Sequence, residues 1–434
     1  MPGSLGVIVL LYSETDAGRL RRNLGASEYS YYFVLKEFRP VLERLGLAVV
    51  VHDPRHEADE MLRQARARGE ACVLFSFAPP HKTFLDLGCP TVPVFAWEFD
   101  SLPNEAWDSD PRNDWRHVLA RLGRAVTHSA FAAQVTRRAM GADYPVASIP
   151  APVWDRFAAL PDRVGDALAG GRGFTVTGRV LDTRALDLAP YASSLRREHG
   201  YAPLPPCAAL RTRVRLDGVV YTSVFNPNDG RKNWFDLVGA FCWAFRDVPD
   251  ATLVLKLTHS DNANALSGLL EELSKLSPFA CRVLLVDGFL DDAEYEALAD
   301  AATYTVNASH GEGQCLPLME HMSAGKPAVA PAHTAMADYV SAETGFPVRS
   351  TPEPSHWPHD PRQAYRTLRH RVDFGSLLAA YQESYRVARG DPLRYARLSA
   401  NAREALRGHC SHAVTLERLR GFLALPAARE LEPA

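Results

Sequence analysis

No two of the seven cysteines stand in C-x-x-C spacing. Cys72, Cys89, Cys207, Cys242, Cys281, Cys315 and Cys410 are scattered, which excludes a zinc knuckle or a dithiol redox motif and fits reduced thiols in a cytoplasm. No apolar run is long enough to span a bilayer. The opening MPGSLGVIVLLYSETD carries a short apolar run with no basic residue before it, so it reads as a first strand rather than a secretory leader. Neither sign of charge dominates. Lys and Arg number 48 against 51 Asp and Glu, a net charge of -3, which leaves no domain-wide basic surface for nucleic acid. No fixed-period repeat marks a solenoid.

What is present is an ordinary soluble composition, 47% hydrophobic and 23% charged, over 434 residues, too many for one core. Residues 1–155 alternate between strand-like and helix-like segments. LGVIVLLY (5–12) is a continuous apolar run, as in a strand buried on both faces. A helical pattern from Tyr29 to Gly46, then LAVVVHD, a helical Glu57–Gly69, ACVLFSF and TVPVFAWEF repeat the alternation. Residues 156–216 are rich in Pro, Gly and Arg and read as a linker with an irregular insert. The alternation restarts over 217–380, and 381–434 is helical, able to pack back on the N-terminal domain. The expected architecture is α/β: two doubly wound, Rossmann-like domains facing a cleft, with ligands beyond the carboxyl ends of the strands.

Two stretches carry chemistry. SHGEGQCLPLMEHMSAGKP follows the strand-like TYTVNAS and leads into a helix over 316–323. A glycine loop feeding a helix start exposes free N–H groups and favours phosphate, with donors from Cys315, Leu316 and their neighbours. Glu312, between Gly311 and Gly313, suits sugar hydroxyls. Glu320, beyond the first helical turn, suits a ribose diol. On these residues alone, a loop charge and a solvated helix carboxylate are the stronger account. His310 faces either the sugar or its own loop. The second stretch, SVFNPNDGRKNWFDLVGAF, also follows a strand and opens a helix. Arg231 and Lys232 stand at a helix start, where cations are disfavoured unless an anion such as a diphosphate neutralises them; solvated cations are the alternative.

The two stretches together resemble glycosyltransferase family 4, retaining enzymes of the GT-B fold. EGQCLPLMEHMSAGKPAV matches the family's glutamate, seven residues and second glutamate, and Arg231-Lys232 matches its phosphate-binding pair. AFCWAFRDVPDATLVLK, GFLDDAEYEALADAATYTVNAS and VTHSAFAAQVTRRAMG are similar in order and spacing. The resemblance is specific over about 219–330, looser over 1–150 and absent over about 160–215. It implies that Glu312 orients the donor sugar, Glu320 holds the ribose, and Arg231 and Lys232 bear the diphosphate. His310, Gly311, Gly313, Gln314, Cys315 and Leu316 complete the donor loop. It implies no metal and no cofactor, since the basic pair and the helix dipole take the metal's place, and no Asp-x-Asp pair ends a strand.

The implied reaction moves a hexose-type sugar from a nucleoside diphosphate to a glycan or lipid-linked acceptor, in surface polysaccharide or glycoconjugate synthesis. The implied setting is the cytoplasm or the inner face of a membrane. An epimerase or phosphorylase of the same fold, or an inactive nucleotide-sugar scaffold, are the alternatives. The sequence departs from the family at Gln314 and Cys315, where donor preference is expected to be set. The first strand's turn lacks the usual glycine pair, with Gly18 and Gly25 apart. Arg19, Arg21 and Arg22 there could meet a phosphorylated acceptor or anionic lipid, or only solvent. On the acceptor side, strand ends offer His81, Trp97 and Glu98, with packing roles as the alternative.

Overall fold

The computed structural model describes residues 7–15, 29–161, 171–200, 202–206 and 211–424. Arg19, Arg21, Arg22, Gly18, Gly25 and Cys207 lie outside the described residues. The first sheet holds β1 (Val7–Ser13), β2 (Leu47–Val50), β3 (Ala71–Phe77), β4 (Thr91–Phe95), β5 (Ala125–Thr127) and β6 (Val146–Ser148). All pairs are parallel, in the order β2-β1-β3-β4-β5-β6. Alternate residues of β1 enter different cores: Val9 and Leu11 pack with helix Ser30–Leu42, Ile8 and Leu10 with Ala58 and Leu62 of helix Pro54–Ala67. A strand covered on both faces has no reason to alternate in polarity, which is why β1 is one apolar run.

The second sheet holds β7 (Arg172–Asp182), β8 (Arg211–Leu216), β9 (Val219–Phe225), β10 (Ala251–Leu257), β11 (Arg282–Phe289), β12 (Tyr304–Val306), β13 (Ala328–Pro331) and β14 (Gly345–Val348). The order is β14-β13-β12-β9-β10-β11-β7-β8. From β14 to β11 the pairs are parallel; β7 and β8 add antiparallel at the edge. The 156–216 segment, expected as a linker and irregular insert, therefore widens the second sheet. Its one strand-like piece, FTVTGRVL (174–181), falls within β7. At Gly178 φ is 148°, and a Cβ there would stand 2.5 Å from the Asp287 carbonyl oxygen, so glycine there lets β7 lie against β11.

Two further elements join the halves. Helices Pro392–Cys410 and His412–Ala424 return to the first domain, where Leu416, Leu419 and Phe422 share a core with Phe38 and Val41. The Trp154 indole N–H donates to the Arg403 carbonyl at 2.8 Å, and the His412 amide to Asp155 at 2.6 Å. Between β14 and helix Phe374–Gly390 lies an antiparallel hairpin, β15 (Ser350–His356) and β16 (Tyr365–Val372), where only continued alternation was expected. It reaches across to the first domain. The fully buried Trp357 stacks on Trp107 at 6.2 Å between ring centres, and its indole N–H donates to Ser101 at 3.2 Å. Asp100 accepts from Thr367 at 2.9 Å and from the Leu368 amide at 2.7 Å. Among the described residues, no helix is long and apolar enough to cross a membrane.

Trp357→Ala is expected to cost about 3–5 kcal/mol of stability, the usual range for a fully buried tryptophan. Calorimetry should show a lowered Tm, and limited proteolysis should cut first within 350–372.

Candidate functional site

In the second sheet, the order in which strands are added reverses between β9 and β12, adjacent parallel strands paired through Tyr221–Tyr304 and Thr222–Thr305. The loops leaving their carboxyl ends are the two motif-bearing stretches, so the topological switch point brings them together. After β9, Asp229 caps a 3-10 turn, Gly230–Lys232, by accepting from the Arg231 amide at 3.0 Å. Arg231 and Lys232 thus stand in a turn just before helix Trp234–Ala244 rather than in its first turn. Asn233, in the left-handed region (φ 49°, ψ 42°), redirects the chain, its amide donating to the Ala308 carbonyl at 3.1 Å. After β12, Cys315 is likewise left-handed (φ 60°, ψ 65°) and starts helix Leu316–Ser323 with Pro317 in its first turn. Here a side chain stands in a conformation that glycine adopts more easily.

The two loops meet through charge. Lys232 Nζ donates to both Glu312 carboxylate oxygens, at 2.8 and 2.9 Å. Glu312 Oε1 also accepts from Ser309 Oγ at 2.6 Å and Asn307 Nδ2 at 3.1 Å. Burial raises the cost of the Glu312 charge, but Lys232 and Arg231 outweigh it and hold its carboxyl below the usual range. Arg231 donates to Asp229 at 2.9 Å, to the Gly311 carbonyl at 3.3 Å and to Glu98 of the first domain. Burial opposes the Arg231 charge, and Glu98, Asp229 and Glu312 sustain it. Asp229 is buried too, yet Arg231 and Lys232 pull it down to about 2. Burial pushes the Glu98 carboxyl up, against the pull of Arg231. The result is two oriented cations and an ionised carboxylate at the mouth of one sheet.

The remaining donor-loop residues divide. Gly311 and Gly313 give room to the first domain: a Cβ at Gly313 would lie 2.6 Å from Ala96 Cβ, and one at Gly311 3.2 Å from the Glu98 carbonyl oxygen. Gln314 is engaged across the domain boundary. Its buried side chain accepts from the Ala151 amide at 3.0 Å and straps the loop to the first domain. The His310 ring bonds the His370 carbonyl at 2.9 Å, the base of the hairpin. Leu316 packs at the margin of the shared core. Glu320, one face of the motif helix away, accepts from the Tyr295 hydroxyl at 2.5 Å.

On the acceptor side, Trp97 is only 2% exposed, with its ring on Trp115 and its N–H on the Ser101 carbonyl at 3.0 Å. It is core, not a platform for a sugar. TVPVFAWEF was expected as one strand, but β4 ends at Phe95 and the chain turns Glu98 to Arg231 instead. His81 lines a cavity of about 350 Å³ with Tyr12, Glu14, Lys82 and Arg112. Burial, then His359, Lys82 and Arg112, bring the His81 ring down to about 3. It is neutral at ordinary pH and accepts from the Trp115 N–H at 3.2 Å.

Several residues at the site were not singled out from sequence. Asp229 and Ser309 sit inside the motif stretches and Asn307 just before the second, and their only signal was position at a strand end. Thr334, whose hydroxyl accepts from the Glu312 amide at 3.0 Å, and Tyr29, bonded to Thr258 at 3.0 Å across the cleft, come from distant segments and left no local mark.

No protein-family model matches the chain, and no curated protein is similar to it in sequence. Solved structures do resemble it. A sucrose-phosphate synthase from Thermosynechococcus elongatus superposes with a TM-score of 0.54 at 16% identity, over 96% of this chain and 98% of that one. A glycosyltransferase from Rickettsia africae gives 0.54 at 11%, over 98% and 100%. Anabaena Alr3699/HepE, in complex with UDP, gives 0.51 at 13%, over 97% and 100%. Against the longer Staphylococcus aureus TarM, the chain spans 55% of that protein's length, at a TM-score of 0.49. With one parallel sheet and one largely parallel sheet, the chain has the GT-B fold.

Burial raises the Glu320 carboxyl from 4.5 to about 7. A carboxyl raised in the folded state stabilises most below its unfolded value, and that contribution is lost as pH rises through about 7. Glu320→Gln should therefore gain Tm relative to the natural chain at pH 8 and little at pH 5. Equal shifts at both values would exclude the elevated pKa.

Proposed function

We propose that this chain is a retaining glycosyltransferase. It would move a hexose-type sugar from a nucleoside-diphosphate donor to a glycan or lipid-linked acceptor. The observation that carries this reading is the meeting of Arg231-Lys232 with Glu312 at one switch point. Two cations and a carboxylate at adjacent strand ends suit a diphosphate joined to a sugar. Arg231 and Lys232 would take the charge that develops on the departing diphosphate, the electrostatic role that needs no reorganisation at the moment of reaction. Glu312 would orient the sugar hydroxyls and Glu320 the ribose. The neighbours support a nucleotide-sugar substrate: one is a glycosyltransferase, another a sucrose-phosphate synthase, and a third held UDP.

Glu98 pairs with Arg231, so a donor diphosphate would displace it. Released, Glu98 would face the cleft from the first domain, where an acceptor hydroxyl would enter. Attack on the same face as departure would retain the anomeric configuration. The basic pair would neutralise the diphosphate without a metal. A peripheral contact at the inner face of a membrane fits a lipid-linked acceptor.

Thermal-shift screening with UDP, ADP and GDP, then NMR of the product anomer, tests the reading. No shift with any of them refutes the transferase, and an inverted anomer refutes retention. Glu312→Gln should lower kcat by about 100-fold or more while nucleotide still binds. Lys232→Met should weaken nucleoside-diphosphate binding by about 10–100-fold, the range for a charged hydrogen bond. EDTA should leave turnover unchanged; a loss that Mg2+ or Mn2+ restores would contradict the metal-independent reading.

A further inference from the structure

Glu320 is held by a residue outside both motif stretches. Tyr295 stands in the first turn of helix Asp292–Ala301, whose start is fixed by a reciprocal cap between Asp291 and Glu294. Its ring is pinned edge-on by Phe157, at 6.0 Å, and by His321, at 5.9 Å. A ring so held can direct its hydroxyl only one way, and that hydroxyl donates to Glu320 Oε2 at 2.5 Å. The carboxylate is thereby fixed in both rotation and position. Each carboxylate oxygen has two lone pairs. Oε2 can take Tyr295 and one hydroxyl while Oε1 takes another, which is the demand of a vicinal diol.

The surroundings explain why an anchor is needed. Glu37 and Lys36 face Glu320 from helix Ser30–Leu42, and Arg156 faces it from the short helix Trp154–Phe157. Arg156 is already engaged, with Glu296 at 2.7 Å, Asp292 at 3.2 Å and Glu37 at 3.6 Å. Burial and Glu37 push the Glu320 carboxyl up, while the Tyr295 bond, Arg156 and Lys36 pull it down. Burial also holds the Tyr295 phenol well above its ordinary range, so it remains a donor.

We propose that Tyr295 is a positioning residue that sets the preference for an intact ribose: by fixing the Glu320 carboxylate, it makes the site discriminate a nucleoside diphosphate from its 2'-deoxy counterpart. The inference rests on the reading of Glu320 as the ribose-holding carboxylate. Glu320 contacts the ligand; Tyr295 acts only through it.

The experiment is calorimetric titration with UDP, ADP and GDP, each beside its 2'-deoxy form, using the pair that binds tightest. The natural protein should favour the ribose form by about 10-fold or more, the effect of one charged hydrogen bond. Tyr295→Phe keeps the ring between Phe157 and His321 and should bring that ratio to about 2-fold or less, leaving deoxynucleotide affinity within about 2-fold. Tyr295→Phe added to Glu320→Gln should change nothing further. An unchanged ratio in Tyr295→Phe, or equal loss for both nucleotides, overturns the proposal while Glu320 keeps its role. No ribose preference in the natural protein overturns the role of Glu320 itself. No binding of any nucleotide overturns the function reading, and this inference with it.

Discussion

A cluster of unlike charges, with Glu312 buried and Lys232, Arg231 and Asp229 half-buried around it, governs the second domain. Lys232, Arg231, Glu312 and Asp229 are drawn together at the ends of β9 and β12. Removing one charge from water costs several kcal/mol, and only close pairing with full hydrogen bonding offsets it. Glu312 meets that condition through Lys232, Ser309 and Asn307. The condition can hold only if two loops some 80 residues apart leave neighbouring strands, which the order β12-β9-β10 ensures. The left-handed Asn233 and Cys315 are local consequences, since each bends its loop so that the polar groups converge.

The same cluster ties the halves of the molecule to each other. Arg231 reaches Glu98, Tyr29 reaches Thr258, Gln314 reaches Ala151, and Lys36 pairs with Asp292. Exposed pairs such as Lys36–Asp292 contribute little, typically below about 1 kcal/mol. The apolar anchors contribute more: Trp357 at the hairpin tip, and the returning helices with Leu419 and Phe422. A cleft held from both sides can exclude water around a reacting group. It also means that the donor loop is shaped by the first domain, because Gly311 and Gly313 pack against Ala96 and Glu98.

Much of this was legible along the chain. The alternation of apolar runs with helical spacing marked both doubly wound domains, since strands buried on both faces leave no other pattern. The motif helix runs from Leu316 to Ser323, where its proline and glycine punctuation placed it. Three places were not legible. Trp97 looked like a sugar platform because aromatic residues at strand ends often are; the three-tryptophan core that absorbs it draws on residues 97, 115 and 357. The 156–216 segment showed one strand-like piece, FTVTGRVL, but its antiparallel pairing onto the second sheet depends on partners distant in sequence. The hairpin of β15 and β16 is rich in proline, arginine and histidine, and its fold is justified only by the first-domain surface on which it rests.

By itself, the sequence determined the local chemistry: which loops carry glycine, carboxylate and guanidinium, and which helix each loop opens. Those choices follow from backbone freedom and hydrogen-bonding capacity within a few residues. Only the tertiary structure decided partnership. Lys232 with Glu312, Arg231 with Glu98, Gln314 with Ala151 and Tyr295 with Glu320 pair groups from 25 to 163 residues apart. Such pairs are set by strand order and domain contact, because a buried charge or amide takes whichever partner the fold brings within about 3 Å.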